Sequence, residues 1–328
     1  PSMVIAGESG AVIDGGASTA TLPTPTSPWY TSTGSRGLYV TGALQLYARG
    51  FTIRNCRARD GAALFIDRSA WSDAVSAMPT GLFIDDVTFQ FNAATNDGGA
   101  MHFSREASLV NVTVTDSRAG GNGGAVFFDN PDSYSRPYQV MGSTLSDGDA
   151  GGDGGLIYAA GEVHVYGSRI LRGKAKQGGC VYRPSVRSPR SLTIDGSTEP
   201  GAWNEAVVQG CSARVAGGGV YVDGGTARLL QVGLRHNVAP LGGGLFVTGD
   251  SVVLLKNTTV RDNTASDEGG GVHVEASTLR AEGASFVNNT ARDGGGINAA
   301  MSTVTVTRGT RFSRCMAGRG AAPPAAPS

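Results

Sequence analysis

One cluster of carboxylates in this sequence is DGDAGGDGG at residues 147–155, which contains Asp147, Asp149 and Asp153. Clustered carboxylates can bind calcium or supply the acid and base of glycoside cleavage. A twelve-residue calcium loop ends on an acidic residue, whereas the twelfth position of this segment is Tyr158. The segment also matches a glycine-rich phrase that recurs along the chain, so we interpret it as a structural corner and predict no metal site.

The other residues that could carry chemistry also occupy repeated positions. Acidic residues precede a glycine pair at Asp60, Asp97, Asp153, Glu268 and Asp293. Ala216 and Leu241 interrupt that column, and His102 and His273 share a repeat position while lying many repeats apart, so the two imidazoles cannot bind one metal ion. We therefore predict no catalytic residues and no cofactor.

Two phrases with a constant spacing organise the chain. The glycine-rich phrase occurs as DGAALF (60–65), DGGAMH (97–102), NGGAVF (122–127), DGGLIY (153–158), QGGCVY (177–182), AGGGVY (216–221), LGGGLF (241–246), EGGGVH (268–273) and DGGGIN (293–298). The second phrase precedes it and consists of an apolar residue, two variable residues, a small or amide residue, one variable residue and a closing Ala. A phrase pair that recurs with one internal order predicts a solenoid.

The repeat is built from strands. Its C-terminal copies are about 25 residues apart, and apolar residues alternate with polar ones, as in GVHVEASTLRAEGASFVNN. The leucine-rich frame and the calcium-binding nonapeptide are both absent. We predict an all-β fold, a right-handed single-stranded parallel β-helix of about twelve coils of ~25 residues, with three short strands per coil.

The predicted domain spans residues 1–320, with loop-bearing coils over 1–206 and regular coils over 207–320, and AAPPAAPS (321–328) is a Pro/Ala-rich linker. The first three insertions, at 22–36, 67–81 and 129–138, are expected to begin at the same register and to project from one edge. A fourth insertion covers 184–206. The insertions carry the loop aromatics Trp29, Trp71, Tyr134 and Trp203.

One outward position of the glycine-bearing strand is rich in rings. Strand alternation places this position between two apolar, inward columns. The file comprises Phe65, His102, Phe127, Tyr158, Tyr182, Tyr221, Phe246 and His273. Two interpretations stand: neighbouring rings stabilise the stacked coils, or the file is a binding face for sugar rings or another chain. Asp67, Asp129, Asp223 and Glu275 give the file an acidic margin.

Corner positions suggest further structure. The second phrase ends in Asn at several copies, which predicts buried side-chain hydrogen bonds to turn amides. Cys180 and Cys211 lie in adjacent coils at different phrase positions, so they are either a disulfide or two buried small residues. Asn111, Asn257 and Asn288 begin sequons and are glycosylation acceptors if the chain is secreted.

Charge and hydropathy limit the partners. Lys plus Arg equals Asp plus Glu at 27 each, and no basic run gives electrostatic support for nucleic-acid binding. No apolar run is long enough to cross a bilayer, so we expect no membrane insertion in this segment. The chain opens within a strand pattern, which we interpret as a piece of a longer protein.

The paired phrases resemble the GGA(I/L/V) and FxxN repeats of the chlamydial polymorphic outer membrane proteins. The matching segments include GGAM (98–101), GGAV (123–126), FQFN (89–92) and FVNN (286–289). The resemblance implies a surface-exposed β-helix with an adhesive role. GGG replaces GGA after residue 216. The Arg, Ala and Gly bias and the AAPPAAPS tail also resemble cell-wall, matrix and flagellar-appendage glycoproteins of green algae.

From these features we expect a non-catalytic structural or adhesive module of a large extracellular or cell-surface glycoprotein. Its partners would be other copies of itself or neighbouring extracellular glycoproteins, or glycans. The alternative is a carbohydrate-active enzyme or a carbohydrate-binding β-helix of the pectate lyase-like type. Its cleft would lie beside the insertions at 67–81, 129–138 and 184–206.

Overall fold

The computed structural model describes residues 2–7, 10–16, 35–40, 45–67, 81–129, 137–186, 191–196, 206–307 and 309–318. Every strand pairs in parallel with the equivalent strand of the neighbouring coil, and the strands form four sheets that run along the solenoid. The predicted right-handed parallel β-helix is therefore confirmed. We number the sheets 1 to 4 in the order in which one full coil passes through them.

Sheets 1 and 2 contain eleven strands each. The strands of sheet 1 are Ser2–Ala6, Gln45–Arg49, Gly81–Asp85, Ser108–Val110, Tyr138–Met141, Val163–Tyr166, Ser191–Asp195, Thr226–Leu230, Val252–Lys256, Thr278–Glu282 and Thr303–Val306. The strands of sheet 2 are Val12–Asp14, Thr52–Arg54, Thr88–Gln90, Thr113–Thr115, Thr144–Ser146, Arg169–Leu171, Ala206–Gln209, Val232–Arg235, Thr259–Arg261, Ser285–Val287 and Arg311–Ser313.

Sheets 3 and 4 contain ten strands each. The strands of sheet 3 are Arg57–Ala58, Ala93–Ala94, Arg118–Ala119, Asp149–Ala150, Lys174–Gln177, Ser212–Ala216, Val238–Leu241, Thr264–Glu268, Thr290–Ala291 and Met316–Ala317. The strands of sheet 4, which carry the glycine-rich phrase, are Leu38–Val40, Leu64–Ile66, Met101–Phe103, Val126–Phe128, Ile157–Ala159, Val181–Arg183, Val220–Asp223, Leu245–Thr248, Val272–Glu275 and Ile297–Ala300.

One detail of the predicted architecture needs correction. A full coil has four strands rather than three, whereas the eleven coils formed by the described residues agree with the predicted number of about twelve. The additional strand is the one in sheet 3, which contains the closing Ala of the second phrase and is only two residues long in coils such as Ala93–Ala94. A two-residue strand is too short to show an alternating pattern, so periodicity in the sequence does not reveal it.

The core fills the interior of the solenoid with stacked aliphatic columns. On sheet 4, the inward positions Val126, Ile157 and Val181 are fully buried, and the inward positions of the other sheets are filled in the same way by residues such as Leu109 and Val114. Full burial of one such side chain contributes roughly 1.5–3 kcal/mol. Since each coil is closed only by its neighbours, this core depends on stacking.

The glycine pair meets two separate backbone requirements. The first glycine, such as Gly98 with φ of 66°, lies in the left-handed region that favours glycine. The second approaches the next coil so closely that a Cβ on Gly99 would lie 2.0 Å from the carbonyl oxygen of Gly124. The pair therefore allows a tight turn and close stacking at one corner.

The third position of the phrase complements the corner that ends the second phrase. A Cβ on Gly219 would lie 3.0 Å from Nδ2 of Asn237 in the next coil, so the asparagine side chain leaves little room at this position. Leu156 occupies the same position in a coil whose corner residue is Gly148, and it is completely buried. A small corner residue thus makes room for a larger third residue.

The insertions only partly share a register. Residues 68–80 and 130–136 connect a strand of sheet 4 to the next strand of sheet 1, as predicted for 67–81 and 129–138. The predicted register of the first insertion, at 22–36, is wrong, because residues 17–34 follow a strand of sheet 2 rather than a strand of sheet 4. Trp29, Trp71, Tyr134, Trp203 and the predicted linker 321–328 lie outside the described residues. The described part of the chain contains no helix that could cross a membrane.

Candidate functional site

The predicted aromatic file is a continuous stack of rings on the outer side of sheet 4. Its first ring is Tyr39, which the sequence interpretation missed, and each ring stacks on the ring of the next coil. The ring centroids are 4.8–5.5 Å apart along the whole series. The members of this ring ladder are Tyr39, Phe65, His102, Phe127, Tyr158, Tyr182, Tyr221, Phe246 and His273.

The C-terminal half of the ring ladder is buried. Tyr182 and Tyr221 are each 8% exposed, and Phe246 is 3% exposed. These rings form a second apolar cluster, separate from the core, with Ala216, while Tyr158 and Leu241 pack against it. Since each ring face lies against its neighbours, a sugar cannot stack on those faces. The geometry therefore favours the interpretation in which the file stabilises the stacked coils.

Carboxylates border the ring ladder, and burial is the main cause of the raised pKa values of its buried tyrosines. Burial, with smaller contributions from carboxylates including Asp153 and Asp223, raises the pKa of Tyr221 to about 12. The pKa of Tyr158 is also raised to about 12, mainly by burial. These phenols therefore remain protonated across the physiological pH range.

The recurrent acidic column has a structural role in the loop-bearing coils. Oδ1 of Asp97 accepts a hydrogen bond from the backbone N–H of Asn122 at 2.7 Å, and Oδ1 of Asp153 accepts one from Gln177 at 3.1 Å. Each side chain thus caps a turn of the next coil. Asp147, in the DGDAGGDGG segment, is held by a bidentate pair with Arg172, whose hydrogen bonds lower the pKa of the carboxyl. Among the described residues, no group of three potential ligands is arranged to hold a metal ion.

His273 ends the ring ladder, and its burial is expected to make stability depend on pH. Burial lowers the pKa of His273, which is 4% exposed, and Glu268 and Glu275 offset this only in part. The unfolded chain, with a His pKa of about 6.5, therefore binds protons first as the pH falls. We expect part of the folding stability to be lost as the pH falls below about 6.5.

The test compares the wild type with His273→Phe across pH 7.5 to 5, using the thermal midpoint. The variant keeps a ring stacked on Phe246 but cannot be protonated, so its midpoint should fall less steeply. Buried carboxylates such as Asp97, whose pKa burial raises, contribute equally to both proteins. Identical slopes for the two proteins would show that His273 is not the titrating group.

The predicted asparagine corner is a hydrogen-bonded ladder. Nδ2 of Asn237 donates to Oδ1 of Asn263 at 3.1 Å, and Nδ2 of Asn263 donates to Oδ1 of Asn289 at 3.0 Å. The same oxygens also accept backbone N–H groups, as from Asn237 to Asn263. All three asparagines are completely buried, so the ladder satisfies polar groups that would otherwise be costly.

Cys180 and Cys211 form a disulfide between successive coils, which is one of the two arrangements that the sequence left open. Their Cα atoms are 5.5 Å apart, and both residues are buried within the wall of the solenoid. Cys211 occupies the corner position, and its N–H donates to Oδ1 of Asn237. The disulfide therefore lies at the N-terminal end of the Asn237–Asn263–Asn289 ladder.

The remaining cysteines should differ in reactivity. Cys56 is completely buried, and burial raises the pKa of its thiol to about 11, whereas Cys315 is partly exposed. Because the thiolate is the nucleophile, iodoacetamide should modify Cys315 in the native protein and Cys56 only after unfolding. Mass mapping without reductant should leave Cys180 and Cys211 linked. Alkylation of Cys56 at the rate of Cys315 in the native state would contradict this placement.

The three sequon asparagines lie at turns on the surface. Asn111, Asn257 and Asn288 are exposed and adopt left-handed φ values of 52°, 50° and 53°. The Nδ2 atom of Asn288 donates to Oδ1 of Asp262 at 2.7 Å. Exposure makes these amides accessible to glycosylation, which stays a prediction.

The outer face of sheet 1 carries the exposed aromatic residues that the sequence interpretation missed. Tyr47 and Phe83 are 38% and 49% exposed and occupy the same register position in adjacent strands. Val4, which is 68% exposed, precedes Tyr47 in this file. The signal in the sequence was the outward parity of these residues on their strands, GLFID and QLYAR, but no repeat phrase marks them.

A hydrogen-bonded chain of polar side chains follows on the same face. Nε2 of His164 lies 3.3 Å from Oε1 of Glu162, and the hydroxyl of Tyr166 lies 3.2 Å from Nδ1 of His164. The Ser191 hydroxyl donates to the same Glu162 oxygen at 2.9 Å. The arrangement fits an imidazole that donates through Nε2 to Glu162 and accepts from Tyr166. The spacing E-x-H-x-Y in EVHVY places these three side chains on one side of a strand, and it was the available signal.

Comparisons of the chain with protein-family models, with curated proteins and with solved structures find no match.

Proposed function

We propose that this chain is a structural or adhesive module of a large extracellular or cell-surface protein, and that it makes protein–protein contacts, including contacts with its own copies. The observation that carries the proposal is the ring ladder. Nine consecutive coils use an outward aromatic position for cohesion between coils, which favours a rigid rod. A rod of constant cross-section is suited to presenting side chains at fixed intervals.

The disulfide supports an extracellular location. Disulfides form and persist mainly in oxidising compartments, and this one joins successive coils inside the wall. The exposed sequon asparagines Asn111, Asn257 and Asn288 are compatible with passage through a secretory route. Green-algal matrix and chlamydial surface proteins, which the sequence resembles, are proteins of this class.

Sedimentation velocity over a concentration series tests the contact role. The expected result is an increase of the sedimentation coefficient with concentration for the wild type. Trp71→Ser, Tyr134→Ser and Trp203→Ser together should abolish it, because these rings lie in the insertions. Val252→Ser, at a residue that is 52% exposed on sheet 1, is the control on a different part of the surface. A wild type that stays monomeric at every concentration would overturn self-association as the contact role.

A carbohydrate-active enzyme is the second candidate, and the Glu162–His164–Tyr166 chain favours it. A base that is oriented by a carboxylate and bonded to a second titratable group is the arrangement used in acid–base catalysis. These three side chains lie in the part of the solenoid whose insertions, within 129–138 and 184–206, were predicted to border a cleft.

Release of reducing ends or unsaturated products from polysaccharides measures this second activity. His164→Ala should abolish any turnover, while His236→Ala, whose side chain is 54% exposed on another face, should leave it unchanged. Equal turnover by the wild type and by His164→Ala would show that the Glu162–His164–Tyr166 group is not catalytic.

A further inference from the structure

We propose that the outer face of sheet 1 between Tyr47 and Thr193 binds a neutral polysaccharide chain that runs along the solenoid axis. The inference goes beyond the proposed protein–protein contact role and adds a partner of a second chemical class. It uses one register file that continues without a shift through six strands. The file is Tyr47, Phe83, Ser108, Gln139, His164 and Thr193, which we call the sheet 1 track.

The aromatic part of the track has the exposure that the ring ladder lacks. Tyr47 and Phe83 retain 38% and 49% of their surface in solvent, whereas Tyr221 and Phe246 retain 8% and 3%. Sugar rings pack their C–H faces on aromatic side chains that are open to solvent. Two such residues on adjacent strands therefore form an apolar start to the track.

The polar part of the track is held in place by hydrogen bonds. The Ser108 hydroxyl donates to Oε1 of Gln139 at 3.2 Å, which leaves the Gln139 amide N–H₂ group as a donor. His164 is held between Glu162 and Tyr166. Amides, hydroxyls and imidazoles in fixed positions are the groups that recognise sugar hydroxyls, and prior ordering lowers the entropic cost of binding.

The charges along this face select a neutral ligand. Arg49 lies 3.3 Å from Asp85, so these two neighbours of the aromatic pair neutralise each other. Glu162 accepts hydrogen bonds from both Ser191 and His164. None of the six track residues is Asp, Glu, Lys or Arg, so an anionic or cationic polymer gains no ion pair from the track itself.

The dimensions fit an extended chain. Adjacent strands are ~4.8 Å apart, so the five steps from Tyr47 to Thr193 span roughly 24 Å. Affinity should consequently rise with oligosaccharide length until the ligand covers this distance.

Affinity electrophoresis in gels that contain soluble polysaccharides provides the test. The probes are a β-1,3-glucan, a galactomannan and a xylan as neutral chains, with polygalacturonate as the acidic chain and chitosan as the basic chain. We expect at least one neutral chain to retard the wild type. Tyr47→Ala with Phe83→Ala should weaken binding at least tenfold, and Gln139→Ala should weaken it several-fold.

Two variants control the measurement. Val252→Ala removes a residue that is 52% exposed on the same sheet but outside the track, and it should bind like the wild type. Tyr47→Trp with Phe83→Trp keeps exposed rings and should retain binding.

Absence of retardation by all three neutral chains, preference for a charged chain, or unchanged binding by the double alanine variant would each overturn the proposal. Self-association that persists in sedimentation without glycan binding would leave the contact role standing.

Discussion

Phe246→Ala should destabilise the protein by about 3 kcal/mol, the lower end of the range for a buried phenylalanine. The ring is 3% exposed and stacks between Tyr221 and His273, with centroids 4.9 and 5.1 Å away. Its loss leaves a gap in the outer cluster and removes two stacking contacts. Urea unfolding, followed by circular dichroism and by fluorescence, measures the change, provided that the two transitions coincide.

The matched control is Phe83→Ala, which makes the same chemical change at a ring that is 49% exposed on sheet 1. We expect its free energy of unfolding to stay within about 0.5 kcal/mol of the wild type. If Phe246→Ala proved as mild as Phe83→Ala, the ring ladder would contribute nothing to cohesion and its rings would have to be explained by binding instead.

Asn263→Ala should destabilise the protein by about 3 kcal/mol, because it leaves several buried groups without partners. The Asn263 oxygen accepts from the backbone and the side chain of Asn237, and its Nδ2 donates to the carbonyl of Leu234 and to Asn289. All of these hydrogen bonds are buried. Urea unfolding measures the change in the same way.

Asn288→Gly is the control for the ladder. Asn288 lies at an exposed turn with φ of 53°, which glycine adopts without strain, and its side-chain amide donates to the carboxylate of Asp262. We expect a loss below about 1 kcal/mol. If Asn263→Ala lost no more stability than Asn288→Gly, water or a backbone rearrangement would have to compensate for the missing amide.

The backbone path was predictable because its signals are local and repeat. Glycine pairs mark a corner where Gly99 approaches Gly124, and alternating residues such as Val126 and Phe128 mark the strand that follows. The recurring asparagines at the corner also predicted the buried hydrogen bonds that they form. Sheet 3 was missed, because strands such as Arg118–Ala119 contain too few residues to show a period.

The outer faces were harder to predict. Strand parity places Tyr221 outside the core, but it does not reveal that the ring is covered by the rings of adjacent coils. Exposure depends on side-chain packing between coils, which one repeat does not encode. Some outward residues belong to neither repeated phrase, so an interpretation based on repeats does not detect them. They are Tyr47, Phe83 and the group Glu162, His164 and Tyr166.

The asparagine ladder gives the solenoid a direction. Asn263 accepts from Asn237 of the preceding coil and also donates back to Leu234 of that coil, and Asn289 repeats the arrangement toward Val260. In this part of the solenoid, each coil therefore completes hydrogen bonds of the coil before it. In a chain made from its N-terminus, the coils of Asn263 and Asn289 supply, as they are synthesised, the partners that the buried polar groups of the preceding coil still lack.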